Sequence, residues 1–219
     1  MKNDVVLSAK GICKSFPGVR ALHNVDFSLR KAEIHALMGE NGAGKSTLIK
    51  VLTGVYSKDD GQVYLDGIDG EIQVNSPHDA QELGISTVYQ EITLCPNLTV
   101  AENIFIGRGS DRFVNWREMM VKADALLEKL SIPARAKQQL GSCSLAVQQM
   151  VAIARSVDMD CKVLILDEPT SSLDEQEVEM LFRLMRDLKK NGVGIVFVTH
   201  FLEQVYEVCD RITVLRDGE

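Results

Sequence analysis

Short apolar runs alternate with turn residues through the first third of the chain, at positions 5–9, 25–29 and 62–65. The last of these is bounded by Asp60-Gly61 and Asp66-Gly67, and Asp-Gly between alternating segments is a hairpin signal. This region therefore predicts antiparallel sheet. Between those strands the pattern changes: 33–38 reads as a strand, 39–44 is glycine-rich, and 46–52 reads as a helix. Strand, loop and helix in that order open a parallel α/β unit.

From position 90 to about 157 the texture is helical. Thr99 followed by Glu102 suits a capping box, and Trp116, Met119, Met120, Ala123, Leu126, Leu127 and Leu130 share one helical face. This stretch predicts an inserted helical subdomain. The chain then returns to α/β, with an apolar run at 163–166, an amphipathic helix over 175–190 stopped by Asn191-Gly192, and a second apolar run at 195–199. Apolar runs without polar alternation suit strands covered on both faces, as in a parallel sheet. A last strand at 212–215 leads into Asp217-Gly218, which reads as a turn whose return strand is missing.

Composition narrows the class. The chain has 219 residues, 45% hydrophobic and 25% charged, which fits one globular domain and excludes a disordered or membrane-embedded chain. A net charge of −7 disfavours coating nucleic acid or anionic lipid by bulk charge. Five scattered cysteines, without a C-x-x-C pair or a histidine at metal-ligand spacing, read as reduced cytosolic thiols. No signal peptide and no apolar run of spanning length is visible.

The chemistry concentrates at Gly39-Glu40-Asn41-Gly42-Ala43-Gly44-Lys45-Ser46, which fits G-x-x-x-x-G-K-[ST] and sits between a predicted strand and a predicted helix. Glycines let successive backbone N–H groups turn inward on phosphate oxygens, and the helix that follows adds its positive dipole end. Lys45 supplies a point charge for the terminal phosphates, and the Ser46 hydroxyl can ligate Mg²⁺. A second element is the buried strand that emerges at Asp167 and Glu168. Asp167 would hold Mg²⁺ through water, and Glu168 is placed to orient or deprotonate an attacking water. His200 follows another buried run and would reach the carboxyl edge of a neighbouring strand, where ligands of open α/β sheets bind. On position alone it is as readily structural as functional.

Together these residues resemble the ATP-binding domain of ABC transporters over essentially the whole chain. The resemblance implies a P-loop NTPase core of residues 1–90 and 158–219, with a mostly parallel sheet and an antiparallel β part, and a helical signature subdomain at 91–157. It implies ATP and Mg²⁺ as ligands, with Thr47 joining residues 39–46 at the nucleotide. Gln90, in Val88-Tyr89-Gln90-Glu91, matches the Q-loop glutamine, which touches Mg²⁺ and the attacking water. Asp174 matches the D-loop, His200 the histidine that contacts the γ-phosphate, and Phe16 the aromatic that stacks on adenine, with a simple core aromatic as the lesser alternative for Phe16.

One segment departs from the pattern. Where most members read LSGGQ, this chain has Cys143-Ser144-Leu145-Ala146-Val147. Ser144 is retained, while the glycine freedom and the amide side chain are lost. The departure is similar to the first domain of tandem carbohydrate-importer ATPases of the ribose, galactose and arabinose group, especially its galactofuranose-type branch. That resemblance implies a sugar-import ATPase, peripheral on the cytoplasmic face of the inner membrane. Its partners would be a second nucleotide-binding domain, expected to follow this one, a membrane permease and, indirectly, a periplasmic sugar-binding protein, with no nucleic acid. Three other readings share the phosphate loop: a soluble ABC ATPase acting on nucleic acid or the ribosome, an exporter ATPase, and a P-loop kinase. The first lacks its coiled-coil arm or basic surface here, and the last leaves Gln90, Ser144, Asp174 and His200 without a role.

Overall fold

A computed structural model describes residues 4–89, 94–107 and 115–219. Two sheets organise them. Strands β1 (Val5–Phe16), β2 (Val19–Arg30) and β4 (Asp60–Leu65) form an antiparallel sheet in the order β2-β1-β4. Strands β3 (Ile34–Met38), β5 (Ile85–Val88), β6 (Val163–Asp167), β7 (Gly194–Val198) and β8 (Arg211–Val214) form a parallel sheet in the order β5-β6-β7-β3-β8. The helices are α1 (Lys45–Leu52), α2 (Pro77–Glu82), α3 (Val100–Phe105), α4 (Trp116–Lys129), α5 (Leu145–Val157), α6 (Glu175–Lys190) and α7 (Leu202–Val208). This is the α/β P-loop NTPase architecture with an antiparallel β part.

The apolar runs of β6 and β7 are covered on both faces, and successive residues feed different cores. Leu164, Leu166, Ile195 and Phe197 join the cluster built on α3, α4, α5 and α6. Val163, Ile165, Val196 and Val198 join the cluster that holds α1 and the antiparallel sheet. Period-two alternation of the side chains thus makes one sheet the wall between two apolar compartments. Gly194 opens β7 where a Cβ would come within 2.8 Å of the Arg30 carbonyl oxygen and 2.9 Å of the Leu29 side chain, so a bare backbone lets β2 lie close.

Several expectations are corrected in detail. Antiparallel pairing is present, but Asp60-Gly61 lies inside β4 and Asp66-Gly67 follows it; the β1–β2 hairpin turns instead at Pro17-Gly18. Gly61 sits where β4 crosses Gly11, with φ +95° and room for no Cβ. Trp116 is 55% exposed at the first turn of α4, whereas Ala123, Leu126, Leu127 and Leu130 are buried as their spacing predicts. The Thr99–Glu102 capping box is present in both directions. Helix α2 was unforeseen, although Ser76 caps it by accepting from the Asp79 N–H and Pro77 occupies its first turn.

A buried polar knot ties β2, β3 and β8. His35, fully buried, shares a 2.7 Å hydrogen bond between Nε2 and Thr213 Oγ1, while its Nδ1 lies 3.9 Å from Glu33 Oε2. Arg211 meets Glu33 Oε1 at 3.3 Å and donates to the Ser28 carbonyl and hydroxyl oxygens at 2.9 and 3.0 Å. Burial, then the Arg211 charge, holds the His35 pKa down to about 4, with Arg30 adding and a backbone bond at Ser28 opposing. The folded protein therefore keeps His35 neutral where the unfolded chain, titrating near 6.5, takes up a proton. Stability from this group is full above the unfolded value and is lost as pH falls toward the folded one, by about 3 kcal/mol in all and about 2 kcal/mol by pH ~5. Urea unfolding at pH 7 and pH 5 measures it, and His35→Gln should flatten the difference; an unchanged pH dependence in that variant would exclude His35 as its source.

Candidate active site

All strands of the second sheet are parallel, so their carboxyl ends share one edge. Strand β3 ends there in the glycine loop, β6 in Asp167 and Glu168, and β7 in Thr199 and His200. The register fixes their adjacency: Val198 is paired with Leu37 on one side and Asp167 on the other. Residues 200 and 39–46, more than 150 positions apart in sequence, are brought together by strand order alone. Gln90 lies outside the described residues; Val88, at the end of β5, pairs with Leu166 at the same edge.

The loop has the backbone its glycines predict, with φ of +148°, +85° and +104° at Gly39, Gly42 and Gly44. At Gly44 a Cβ would also stand 2.8 Å from the Ala21 carbonyl oxygen, so the loop is seated against β2. Glu40, Asn41 and Gly42 are exposed at the loop crest and Ala43 is buried beneath it. Lys45 is buried at the first position of α1 and folds back on the loop, its Nζ donating to the carbonyl oxygens of Gly39 at 2.7 Å and Glu40 at 3.0 Å. The ammonium thus spans the cradle that a phosphate would enter. Ser46 is exposed and Thr47 half-buried on the same first turn.

Glu168 follows β6 in the left-handed region, φ +47°, with its N–H donating to the Val198 carbonyl oxygen at 3.0 Å. Such a conformation costs a non-glycine residue of the order of 1 kcal/mol and gathers at working sites. It turns the chain sharply after Asp167 and leaves Glu168 Oε1 3.6 Å from His200 Nδ1. Burial, and next the Glu168 charge, raise the Asp167 pKa, against the pull of Lys45 and Lys50. His200 is exposed and lies against the Phe201 ring, with centroids 4.1 Å apart.

The other expected residues lie in defined settings. Phe16 ends β1 37% exposed, edge-on to Tyr56 with ring centroids 5.2 Å apart and the Lys14 ammonium 5.6 Å from its centroid. Asp59 accepts from Lys14 at 2.9 Å and from the Ser15 N–H at 2.6 Å, tying this strand end to the segment after α1. Ser144 is the N-cap of α5, accepting from the Val147 N–H at 3.5 Å, with Leu145 partly exposed beside it. Asp174 is the N-cap of α6 in a capping box with Glu177, and it accepts from the Glu177 N–H at 2.8 Å. That structural role was not visible in the D-loop match.

Three residues at this edge escaped the sequence reading. Thr170 donates its hydroxyl to Gln204 Oε1 at 2.7 Å, the Thr199 hydroxyl lies 3.5 Å from the same oxygen, and the Phe201 N–H donates to Thr199 Oγ1 at 3.1 Å. A glutamine on a short amphipathic helix carries no sequence signature for such a task. Among the described residues no cluster of three or more His, Cys, Asp or Glu could hold a metal, and no helix is long and apolar enough to cross a membrane. Burial pushes the Cys161 thiol up to about 11, and burial followed by the Asp210 charge pushes half-buried Cys209 up to about 12, which disfavours the thiolate at both.

The sequence profile of the ABC transporter family matches residues 22–171. The chain is 56% identical over 215 residues to the galactofuranose transporter ATP-binding protein YtfR of Escherichia coli strain K12, covering 97% of this chain and 43% of that protein. It is 46% identical over 217 residues to the ribose import ATP-binding protein RbsA of Hahella chejuensis, with 98% and 43% covered. The chain therefore spans less than half the length of these curated relatives. Its fold superposes on the ADP conformation of MJ1267, an ATP-binding cassette of an ABC transporter, with a TM-score of 0.87 at 28% identity, covering 98% of this chain and 88% of that one.

Proposed function

Since the chain belongs to the ABC transporter family, we propose that it binds and hydrolyses ATP to energise a membrane importer for a sugar. The observation that carries the reading is the shared strand edge, where a glycine cradle closed by Lys45 adjoins Glu168 and His200, 3.6 Å apart. In this reading the inward N–H groups of residues 39–46 and the Lys45 ammonium take the phosphates, and Phe16 takes the adenine face. The Glu168 carboxylate accepts a proton from water as its oxygen bonds to the γ-phosphorus. The bond to the bridging oxygen breaks, and ADP and phosphate leave. His200 donates to the γ-phosphate and holds Glu168 in place.

Mg²⁺ fits the donors present. Asp167 has its carboxyl pKa raised by burial and by its acidic neighbour, a field that a divalent cation would offset. A hydroxyl and a carboxylate, completed by phosphate and water oxygens, suit this ion better than an all-protein cage does. Ser46, Asp167 and Gln90 would hold it, and when bound it supplies positive charge to the phosphate oxygens.

Sugar import rests on the names of the relatives, galactofuranose and ribose proteins among them. The partners proposed are a membrane permease, which places the chain on the cytoplasmic face of the membrane, a periplasmic sugar-binding protein acting through the permease, and a second nucleotide-binding domain. That second domain would be capped at its γ-phosphate by Ser144 and the start of α5. With Leu145 and Ala146 in place of glycines, the site capped by this segment is the weaker of the pair. The test is reconstitution with the cognate permease and binding protein in liposomes, reading ATP hydrolysis across a panel of monosaccharides. Stimulation by one sugar through the binding protein is expected; hydrolysis indifferent to every sugar and to the permease would overturn import.

A further inference from the structure

The Glu168–His200 pair is formed by two loops that leave different strands, and nothing in either loop alone fixes its distance. Thr170, two residues after Glu168, and Thr199, directly before His200, are both buried, at 3% and 1% exposure. Their hydroxyls converge on one atom, Gln204 Oε1, at 2.7 and 3.5 Å. Gln204 stands on α7, which is anchored by Val205, buried against Ala36 and Met38 of β3, and by Val208 in the helical core. Thr199 also accepts from the Phe201 N–H, and the Phe201 ring lies against His200. Thus a single carboxamide oxygen links the loop carrying Glu168, the loop carrying His200, and a helix seated on the strand that delivers the phosphate loop.

We propose that Gln204 is a positioning residue which, through Thr170 and Thr199, sets the spacing of Glu168 and His200 for hydrolysis. The inference rests on the ATPase reading above. Gln204 is not among the residues proposed to hold the nucleotide. Its loss leaves the phosphate cradle and the base platform intact, so it should affect turnover rather than ATP binding. An acceptor of either charge state satisfies both hydroxyls, so glutamate substitutes for glutamine while leucine does not.

The experiment compares Gln204→Leu, Gln204→Glu and Thr170→Val in the intact protein, with two readouts. Steady-state hydrolysis should show kcat down about 10- to 50-fold in Gln204→Leu, with KM for ATP within about twofold, and Gln204→Glu within about threefold of the parent. Combining Gln204→Leu with Thr170→Val should cost little beyond the worse single change, because both break one link. Independently of activity, the His200 imidazole resonances, assigned by their loss in His200→Ala, should move in Gln204→Leu and stay near their parent positions in Gln204→Glu. Turnover unchanged in Gln204→Leu, a KM that rises in step with the fall in kcat, or unmoved His200 resonances would overturn the clamp. A parent protein that shows no hydrolysis while its His200 resonances respond as described would sustain the clamp and overturn the ATPase reading instead.

Discussion

Glu168→Gln should retain ATP binding and lose turnover by roughly 10³-fold, the scale of a general base at a proton-transfer step. The isosteric amide keeps the side chain's volume and a hydrogen-bond acceptor toward His200, now 3.6 Å away, but it cannot take a proton from water. The left-handed backbone at residue 168 is as open to glutamine as to glutamate, so folding should be unaffected. Single-turnover hydrolysis and equilibrium binding of a fluorescent ATP analogue separate the two effects. Parent-like turnover in Glu168→Gln would remove the carboxylate from the mechanism.

Lys45→Ala should fail one step earlier, with ATP affinity falling by about 10²- to 10⁴-fold. That is the worth of roughly two charge-assisted hydrogen bonds at 1.5–3 kcal/mol each. Lys45 Nζ donates to the Gly39 and Glu40 carbonyl oxygens, so the ammonium is held inside the loop and ordering it on phosphate costs little entropy. The same titration serves as the measurement; retained affinity with lost turnover would reassign Lys45 from binding to chemistry.

The phosphate loop and its helix were legible because each position is dictated by backbone sterics or charge, and sterics hold in any context. The runs in β6 and β7 were legible for a related reason: a strand covered on both faces has no polar position to interrupt it. Elsewhere the information lies between residues that sequence does not connect. His35, Glu33 and Arg211 form one buried knot, yet Arg211 is a surface-like residue until β8 is placed beside β3. Gln204 acquires its task only when the exits of β6 and β7 become neighbours. Asp174 carries a second, structural task that its motif match did not reveal, since its side chain caps α6. Asp60-Gly61 carried no hairpin because Asp-Gly is a turn signal for short loops in general, and at Gly61 the glycine serves the close approach of β4 to Gly11 instead.

The division of β6 and β7 between two apolar compartments has a mechanical consequence. Among the described residues the apolar cluster around α3, α4 and α5 is separate from that of the antiparallel sheet, with β6 and β7 between them, so a displacement of those helices meets the strands before it meets the second core. The strands, hydrogen-bonded to neighbours on both sides, then become its natural carriers, and their carboxyl ends are where it would emerge. A push on the helical side would then be felt first at the residues where those strands end, Asp167 and Glu168 on β6 and Thr199 and His200 on β7.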